Sequence, residues 1–432
     1  MKTIKRASFS GNVKYYGTDI DVLIPENYVE KDEELRGVWV STVANIDIPR
    51  IETEEQFKKA LIDILEKVKE YHMNTVVFQV RPMSDALYKT DKNPWSSVLT
   101  GVQGKDPGFD VFGFFVEEAK KRNITVHAWI NPYRISGVKL DDINLTKDEY
   151  LDTLAPNNFA RLRKDLVIMS KESKLILDPA SSEVMEFVSD SVLEIAKNYD
   201  VKAVHIDDYF YPYDPIRDPD EYKKYKDSGC ESLSDFRRNN VNKMIEMIHN
   251  KLATLDKKVE FGISPFGIYR TNTLYCDGKT GEQFWEKGSN NHESCLTNYK
   301  GLYADIYKWM KEGWIDYVTP QNYFDFDNTK LDKEGKEVCQ VKYADLAKWW
   351  NDICEETNTK LYMGQAIYRY GKDANWIDPE EIPNQLRFNS TLKNVKGTIF
   401  FTFKDFTNET NPTLVEGRKR LKELWTKDVK EI

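Results

Sequence analysis

The chain has 432 residues, with 62 basic and 71 acidic side chains and a formal net charge of −9. That balance, without a basic run or a basic amphipathic helix, argues against nucleic acid or a membrane surface as a partner, and no apolar stretch is long enough to span a bilayer. The length supports a substantial core, and α/β barrels reach this size as one domain.

Aromatic residues make up 13% of the chain, including ten Trp and 24 Tyr. They suit a cleft that stacks flat rings such as sugars, and equally the filling of a large core. Cys230, Cys276, Cys295, Cys339 and Cys354 are widely spaced with no CxxC pair, which argues against zinc and dithiol chemistry. An odd count without a framework fits a reducing compartment, or an envelope protein with free thiols. The start, MKTIKRASFSGNVKYYG, is basic but has no apolar segment after it. As given, the sequence predicts a cytoplasmic protein, and a cell-envelope or extracellular one if a leader has been trimmed.

Residues 1–34 read as an N-terminal extension, in which VKYYGTDIDVLIP alternates like a short hairpin capping the bottom or side of a barrel formed by residues 35–432. Strand patterns fall at 36–43, 75–82, 125–134, 201–208, 259–267, 315–324, 361–369 and 397–406. Helical patterns follow them, for example at 54–71, 111–122, 182–199 and 412–425. In the first helix Phe57, Leu61, Ile64, Leu65 and Val68 make one apolar stripe. Pro412 stands where a helix start tolerates it, because a first-turn amide has no intrahelical partner. Eight strand–helix units in series predict a parallel (β/α)8 TIM barrel, eight being the number that closes. An open doubly wound sheet is the alternative, but no Gly-rich phosphate turn follows the first strand. Long connections after strands, at 83–110, 135–181, 213–231, 271–300 and 325–342, contrast with short returns. The elaborated face, and the site, therefore belong at the C-terminal ends of the strands.

Polar and aromatic groups crowd those ends. They are Gln79 and Arg81; Trp129, Asn131, Tyr133 and Arg134; His205, Asp207, Asp208 and Tyr209; Arg270; Gln321 and Tyr323; Gln365 and Arg369. A barrel interior is normally filled by branched apolar side chains, so these ends describe a polar, aromatic-walled pit. In VKAVHIDD the period of two turns Val204 and Ile206 toward the helices, and Ala203, His205 and Asp207 inward. Asp208 reaches the same place only if the chain leaves the strand there. Each group has a structural alternative. Asp207 can anchor backbone amides and Asp208 can cap a helix. Gln79, Asn131 and Gln321 can form an internal network, His205 can donate to an aspartate, and the arginines can make rim salt bridges. His127 and His205 are isolated, without an HxH pair, and neither a metal nor a cofactor is expected.

RGVWVST, VVFQVRP, HAWINPYR, HIDDYFYP, SPFGIYR and PQNYF, in that order between residues 35 and 406, resemble the glycoside-hydrolase-like family 10 proteins of bacteria. The resemblance implies a TIM barrel and an O-glycosyl hydrolase, with peptidoglycan glycan strands as a substrate of some members. Glycoside hydrolysis usually draws two carboxyl groups from different strands. Adjacent acids after the fourth strand are similar instead to several N-acetylhexosaminidase families, in which the substrate's 2-acetamido oxygen is the nucleophile. By that analogy Asp207 orients the acetamide and Asp208 is the general acid/base, each raising the other's pKa. Tyr323 is then placed to donate to the acetamide oxygen, Trp129 and Tyr133 to stack on the sugar, and Gln79 and Asn131 to bind hydroxyls. Arg81, His205, Tyr209, Gln321 and Gln365 complete the expected substrate-binding set. The expected partner is an N-acetylated oligosaccharide or polysaccharide; nothing in the sequence speaks to oligomeric state. Three alternatives stay open: an ordinary two-carboxylate glycosidase drawing on Asp325 or Asp405, a non-catalytic glycan-binding barrel, and, least in keeping with the strand ends, a metal-dependent or phosphosugar barrel.

Overall fold

The computed structural model describes residues 1–272 and 287–432, with the backbone of 274–276 and 283–285 between them. Part of the connection 271–300, and Cys276, therefore lie outside the residues whose side chains are described. Eight parallel strands close a barrel in chain order. They are β1 (Leu35–Val40), β2 (Thr75–Arg81), β3 (Thr125–Ile130), β4 (Ala203–Ile206), β5 (Glu260–Ile263), β6 (Tyr317–Val318), β7 (Lys360–Gln365) and β8 (Val395–Phe400). The outer ring consists of α1 (Glu54–Glu70), α2 (Val111–Lys121), α3 (Ser182–Asn198), α4 (Leu233–Leu252), α5 (Ile306–Lys311), α6 (Tyr343–Thr357), α7 (Glu381–Asn389) and α8 (Pro412–Leu424). The closed ring excludes the open doubly wound sheet.

Local chemistry sets the helix starts. Thr53, Asp110, Ser181, Ser232 and Asn411 each accept a backbone amide of the first turn of α1, α2, α3, α4 and α8, which satisfies donors that have no partner inside the helix. The stripe of Phe57, Leu61, Ile64, Leu65 and Val68 is buried. It joins the layer between helices and sheet, to which β4 contributes Val204 and Ile206. The opposite face of the strands fills the barrel with Leu35, Trp39, Val77, Trp129, Ala203, Tyr317, Tyr362 and Ile399.

The strands end earlier than their apolar patterns do. β3, β5 and β6 stop ahead of Pro132, Pro265 and Pro320, and proline cannot donate to the ladder. β6 keeps only Tyr317–Val318, although Gln321 still bridges Phe266 and Gly364 beyond it. The polar residues thus sit on the departing loops. The connection 135–181 folds back as an antiparallel sheet of Val167–Ser170 and Leu175–Leu177, joined by Ile216–Arg217 from the loop after β4. The loop after β6 carries a hairpin of Asn328–Leu331 and Glu337–Val341. At the N-terminus, Lys2–Thr3 pairs with Leu23–Ile24. Its turn lies on the barrel's flank, where the Tyr16 amide donates to Asp345 at 3.0 Å and Arg6 pairs with Asp327 at 2.6 Å.

The interior holds a chain of hydrogen bonds. Trp39 Nε1 donates to His205 Nε2 at 3.3 Å; His205 Nδ1 meets the Tyr317 hydroxyl at 2.9 Å, which meets His127 Nδ1 at 2.8 Å. An indole N–H only donates, so the His205 proton sits on Nδ1. Burial and the nearby His127 hold the His205 pKa well below its ordinary value, and the ring is neutral. Gly262 makes room for this chain, since a Cβ there would lie 1.9 Å from Tyr317 Cζ. Gly262→Ala is expected to destabilise the fold by at least ~1–3 kcal/mol through overpacking, read as a lower urea midpoint with an unchanged slope.

Candidate active site

Asp207 follows the last residue of β4. Its register partner across the barrel wall is β3, where Trp129 pairs with His205 and Ile130 with Ile206. Asn131 therefore comes level with Asp207. Asn131 Nδ2 donates to Asp207 Oδ1 at 3.0 Å, Trp129 Nε1 to Oδ2 at 3.0 Å, and the Tyr209 amide to Oδ1 at 3.0 Å. The Asp207 carboxyl is 6% exposed. Burial raises its pKa, while the Arg134 charge and these three donors pull it back down.

Asp208 is turned into the same pit because the chain leaves the extended conformation after Ile206. It is 7% exposed. Burial first, and then the Asp207 charge, push its pKa up to about 6. The Tyr213 hydroxyl donates to Asp208 Oδ2; the Tyr213 ring is half-exposed, but its hydroxyl end points inward, and burial beside Asp208 raises its pKa.

The pit holds about 180 Å³. Pockets that enclose a drug-sized ligand run to ~300–1,000 Å³, so this one suits one sugar unit, with the rest of a chain on the rim. Trp39, Trp129, Tyr323 and Phe401 wall it, Gln79, Ser264, Gln321 and Arg134 supply polar edges, and Asp207 and Asp208 are its only carboxylates among the described residues. Gln79 Oε1 accepts the Thr42 and Val43 amides at 3.0 and 2.9 Å, which leaves Nε2 without a partner. Gln321 Nε2 donates to the Ser264 carbonyl at 3.0 Å. A roomier cleft of about 390 Å³ lies between the N-terminal hairpin and the 328–341 hairpin, but its charges are spent on each other, Arg6 with Glu337 and Lys14 with Asp19.

Of the residues expected from sequence, Gln79, Trp129, Asp207, Asp208, Gln321 and Tyr323 line the pit. The other six do not. Arg81 is fully buried behind it, bonded to Asn93, Ser84 and the Asn131 carbonyl, because a register shift between Gln79 and Arg81 turns it away. Asn131 is buried and holds Asp207 in place of any sugar hydroxyl. Its Oδ1 also accepts the Tyr133 and Arg134 amides. That tight turn sends the Tyr133 ring into the apolar core, while Arg134 lines the pit. His205 lies below the floor, tied to Tyr317 and Ser264. Tyr209 supplies an amide to Asp207 and a ring beneath the Arg134 guanidinium. Gln365 is buried against Tyr343 and Gln385. Neither alternative acid faces the pit: Asp325 accepts Asn375 and the Asp327 amide, and Asp405 caps the turn after Thr402.

The expected substrate-binding set did not include Trp39, Tyr213, Ser264 or Phe401, although Ser264 stands at the end of the fifth strand pattern. Trp39 had a signal, since it shares a strand face with Leu35 and Gly37; Tyr213, out on a loop, had none. Asp47 was also passed over. It accepts the Ser41 and Lys404 amides and the Thr402 hydroxyl, and so ties the loop after β1 to the loop after β8.

The family model described as glycosyl hydrolase-like 10 matches residues 34–380. The glycosyl hydrolase YngK of Bacillus subtilis (strain 168) is 37% identical over 385 residues, 87% of this chain and 69% of that protein. The glycosyl hydrolase DigH of Escherichia coli (strain K12) is 31% identical over 423 residues, 93% of this chain and 89% of that protein. Among solved structures, the PgaB (BpsB) glycoside hydrolase domain from Bordetella bronchiseptica has a TM-score of 0.52 at 12% identity, covering 90% of this chain and 99% of that one. The catalytic domain of a β-amylase from Paenibacillus polymyxa has a TM-score of 0.52 at 8% identity, covering 91% and 99%. Likeness at such identities speaks for the barrel alone. The family match takes in every strand of the barrel except β8 and both acids of the pit, and the chain belongs to the glycosyl hydrolase-like 10 family.

Proposed function

We propose that the chain is a glycosidase that cleaves glycans containing N-acetylhexosamine, of the peptidoglycan type, with the substrate's acetamido oxygen as nucleophile. One observation carries this reading: two neighbouring acids share a pit sized for one sugar, and no third carboxylate lines it among the described residues. A retaining or inverting pair needs its two carboxyls on opposite sides of the scissile bond; adjacent residues after one strand suit the acetamide route.

Below about pH 6 Asp208 keeps its proton because it is buried beside the Asp207 charge, and it gives that proton to the glycosidic oxygen as the C1–O bond breaks. The acetamide oxygen closes on C1 to form an oxazoline, and its N–H donates to Asp207, which three donors hold in a fixed orientation. Asp208 then takes a proton from the water that opens the ring. Tyr323 lines the same pit and would donate to the acetamide oxygen, and the rings of Trp39, Trp129 and Phe401 suit the apolar faces of a sugar.

Asp208→Asn is expected to lower turnover of N-acetylated oligosaccharides by ~10²–10⁴-fold, the usual weight of a general acid, with an activated aryl leaving group restoring much of the loss. Asp207→Asn should also lose turnover, and the wild type should release product with retained anomeric configuration. Wild-type turnover in both variants sinks the assignment. A proton donor is lost above its own pKa, so kcat/KM should fall as pH rises through about 6. The same group sets a stability prediction. The folded chain binds the Asp208 proton more tightly than the unfolded one, so ionisation destabilises the fold progressively from pH 3.8 up to about 6. Asp208→Asn should therefore be the more stable form at pH 8 by on the order of 2–3 kcal/mol, with the gap closing at pH 4 in urea titrations.

A further inference from the structure

Asp208 is held by a residue that its own strand does not supply. Tyr213 stands five positions on, in the loop after β4, with its ring half in solvent and its hydroxyl turned inward to donate to Asp208 Oδ2. That hydroxyl makes no other hydrogen bond among the described residues. Burial and the charge of Asp208 raise the phenol's own pKa, so it stays protonated and donates. The chain on both sides is fixed. Pro212 is buried. Asp214 accepts the Glu172 amide at 2.6 Å, the Pro215 carbonyl accepts the Lys171 amide at 2.6 Å, and Ile216–Arg217 pairs with Met169 and Ser170. The connection between β3 and α3 thus holds the backbone beside Tyr213, and the Tyr209 ring, 5.8 Å away between centroids, backs the side chain.

This geometry divides the two oxygens of Asp208. A donor on Oδ2 makes that oxygen the acceptor, and the proton of the neutral acid sits on Oδ1. Gln321 also hydrogen-bonds to Asp208, but with less weight, and its Nε2 is committed to the Ser264 carbonyl. When the proton leaves, the phenol faces an anion, and a hydrogen bond to a charged oxygen is roughly twice as strong as one to a neutral oxygen. Tyr213 therefore favours the state after proton transfer over the state before it. Of the other titratable groups around the pit, Asp207 opposes ionisation of Asp208, Arg134 lies over the Tyr209 ring, and burial keeps the Tyr209 and Tyr323 hydroxyls protonated.

We propose that Tyr213 is a positioning residue for the acid of the pit: it keeps the Asp208 proton on Oδ1, the oxygen left to meet the leaving group, and stabilises the anion that remains once the proton is given. The inference rests on the reading of Asp208 as the general acid, and adds to it the residue that sets the strength of that acid.

The test uses Tyr213→Phe, which keeps the ring and removes the hydroxyl. In the full chain carrying carboxyl-labelled aspartate, the carbon resonance that Asp208→Asn removes should titrate at about 6 in wild type. In Tyr213→Phe it should titrate higher, by roughly one pH unit, because the lost donor had favoured the anion. The alkaline fall of kcat/KM should move upward with it. Below about pH 6 the variant should cleave a tetrasaccharide of N-acetylglucosamine about three- to tenfold more slowly, being the weaker acid. The 4-nitrophenyl glycoside of the same sugar, whose leaving group needs no proton, should react at nearly the wild-type rate. An Asp208 resonance that titrates alike in both proteins overturns the inference, whatever the rates. So does a loss of rate by one factor at every pH and on both substrates, because Tyr213 then serves folding or binding alone. A resonance that moves while the alkaline fall stays in place leaves the hold of Tyr213 on Asp208 standing, and overturns instead the reading of Asp208 as the acid.

Discussion

A carboxylate removed from water must be given donors, and the site is arranged around that requirement at Asp207. Burial alone disfavours its charge. Three N–H groups answer it, two of them from the neighbouring strand and one from its own chain two residues on. The β3–β4 register makes this possible: with Trp129 level with His205, the inward positions of β3 and the end of β4 arrive together. A slip of one residue in that pairing would turn the donors outward. The geometry of the site is therefore a consequence of barrel register, and the packed floor beneath it keeps that register.

The floor is polar, and its His205 ring is uncharged. His205, Tyr317 and His127 are linked by hydrogen bonds, with the imidazole of His205 held neutral by burial. An imidazolium there would sit directly under the acids and draw the proton off Asp208. At Asp208 burial and the charge of its neighbour favour the protonated form and outweigh the Tyr213 and Gln321 hydrogen bonds, which favour the ionised one. The low dielectric that makes the pair costly for folding also keeps their pKa values high.

The fold was legible because it rests on periodicity. Eight apolar runs each followed by a helical pattern became eight strands and eight helices. Within β4 the alternation placed Ala203 in the barrel interior, and Val204 and Ile206 in the helix layer. The pit was legible only as far as the period of two persists. Trp129 and Asp207 follow it; Tyr133, one turn past the strand, does not, because the Asn131 side chain bends the backbone and sends the Tyr133 ring into the core. Arg81 fails for a related reason, a register irregularity that no local sequence pattern announces. Tyr213 reaches Asp208 from a loop, where neither period applies. Gln365 shows the remaining limit: a polar residue at a strand end can bond wholly to the protein, here to Tyr343 and Gln385.

Charge accounting bears on the proposed mechanism. With Asp208 protonated, the charges of Asp207 and Arg134 cancel, and the empty pit is close to neutral. In the proposed mechanism, proton transfer to the leaving oxygen would make Asp208 an anion at the moment the ring closing on C1 becomes cationic, so the pit would stay balanced through the step in which charge separates. A preorganised site of this kind needs little reorganisation during the reaction.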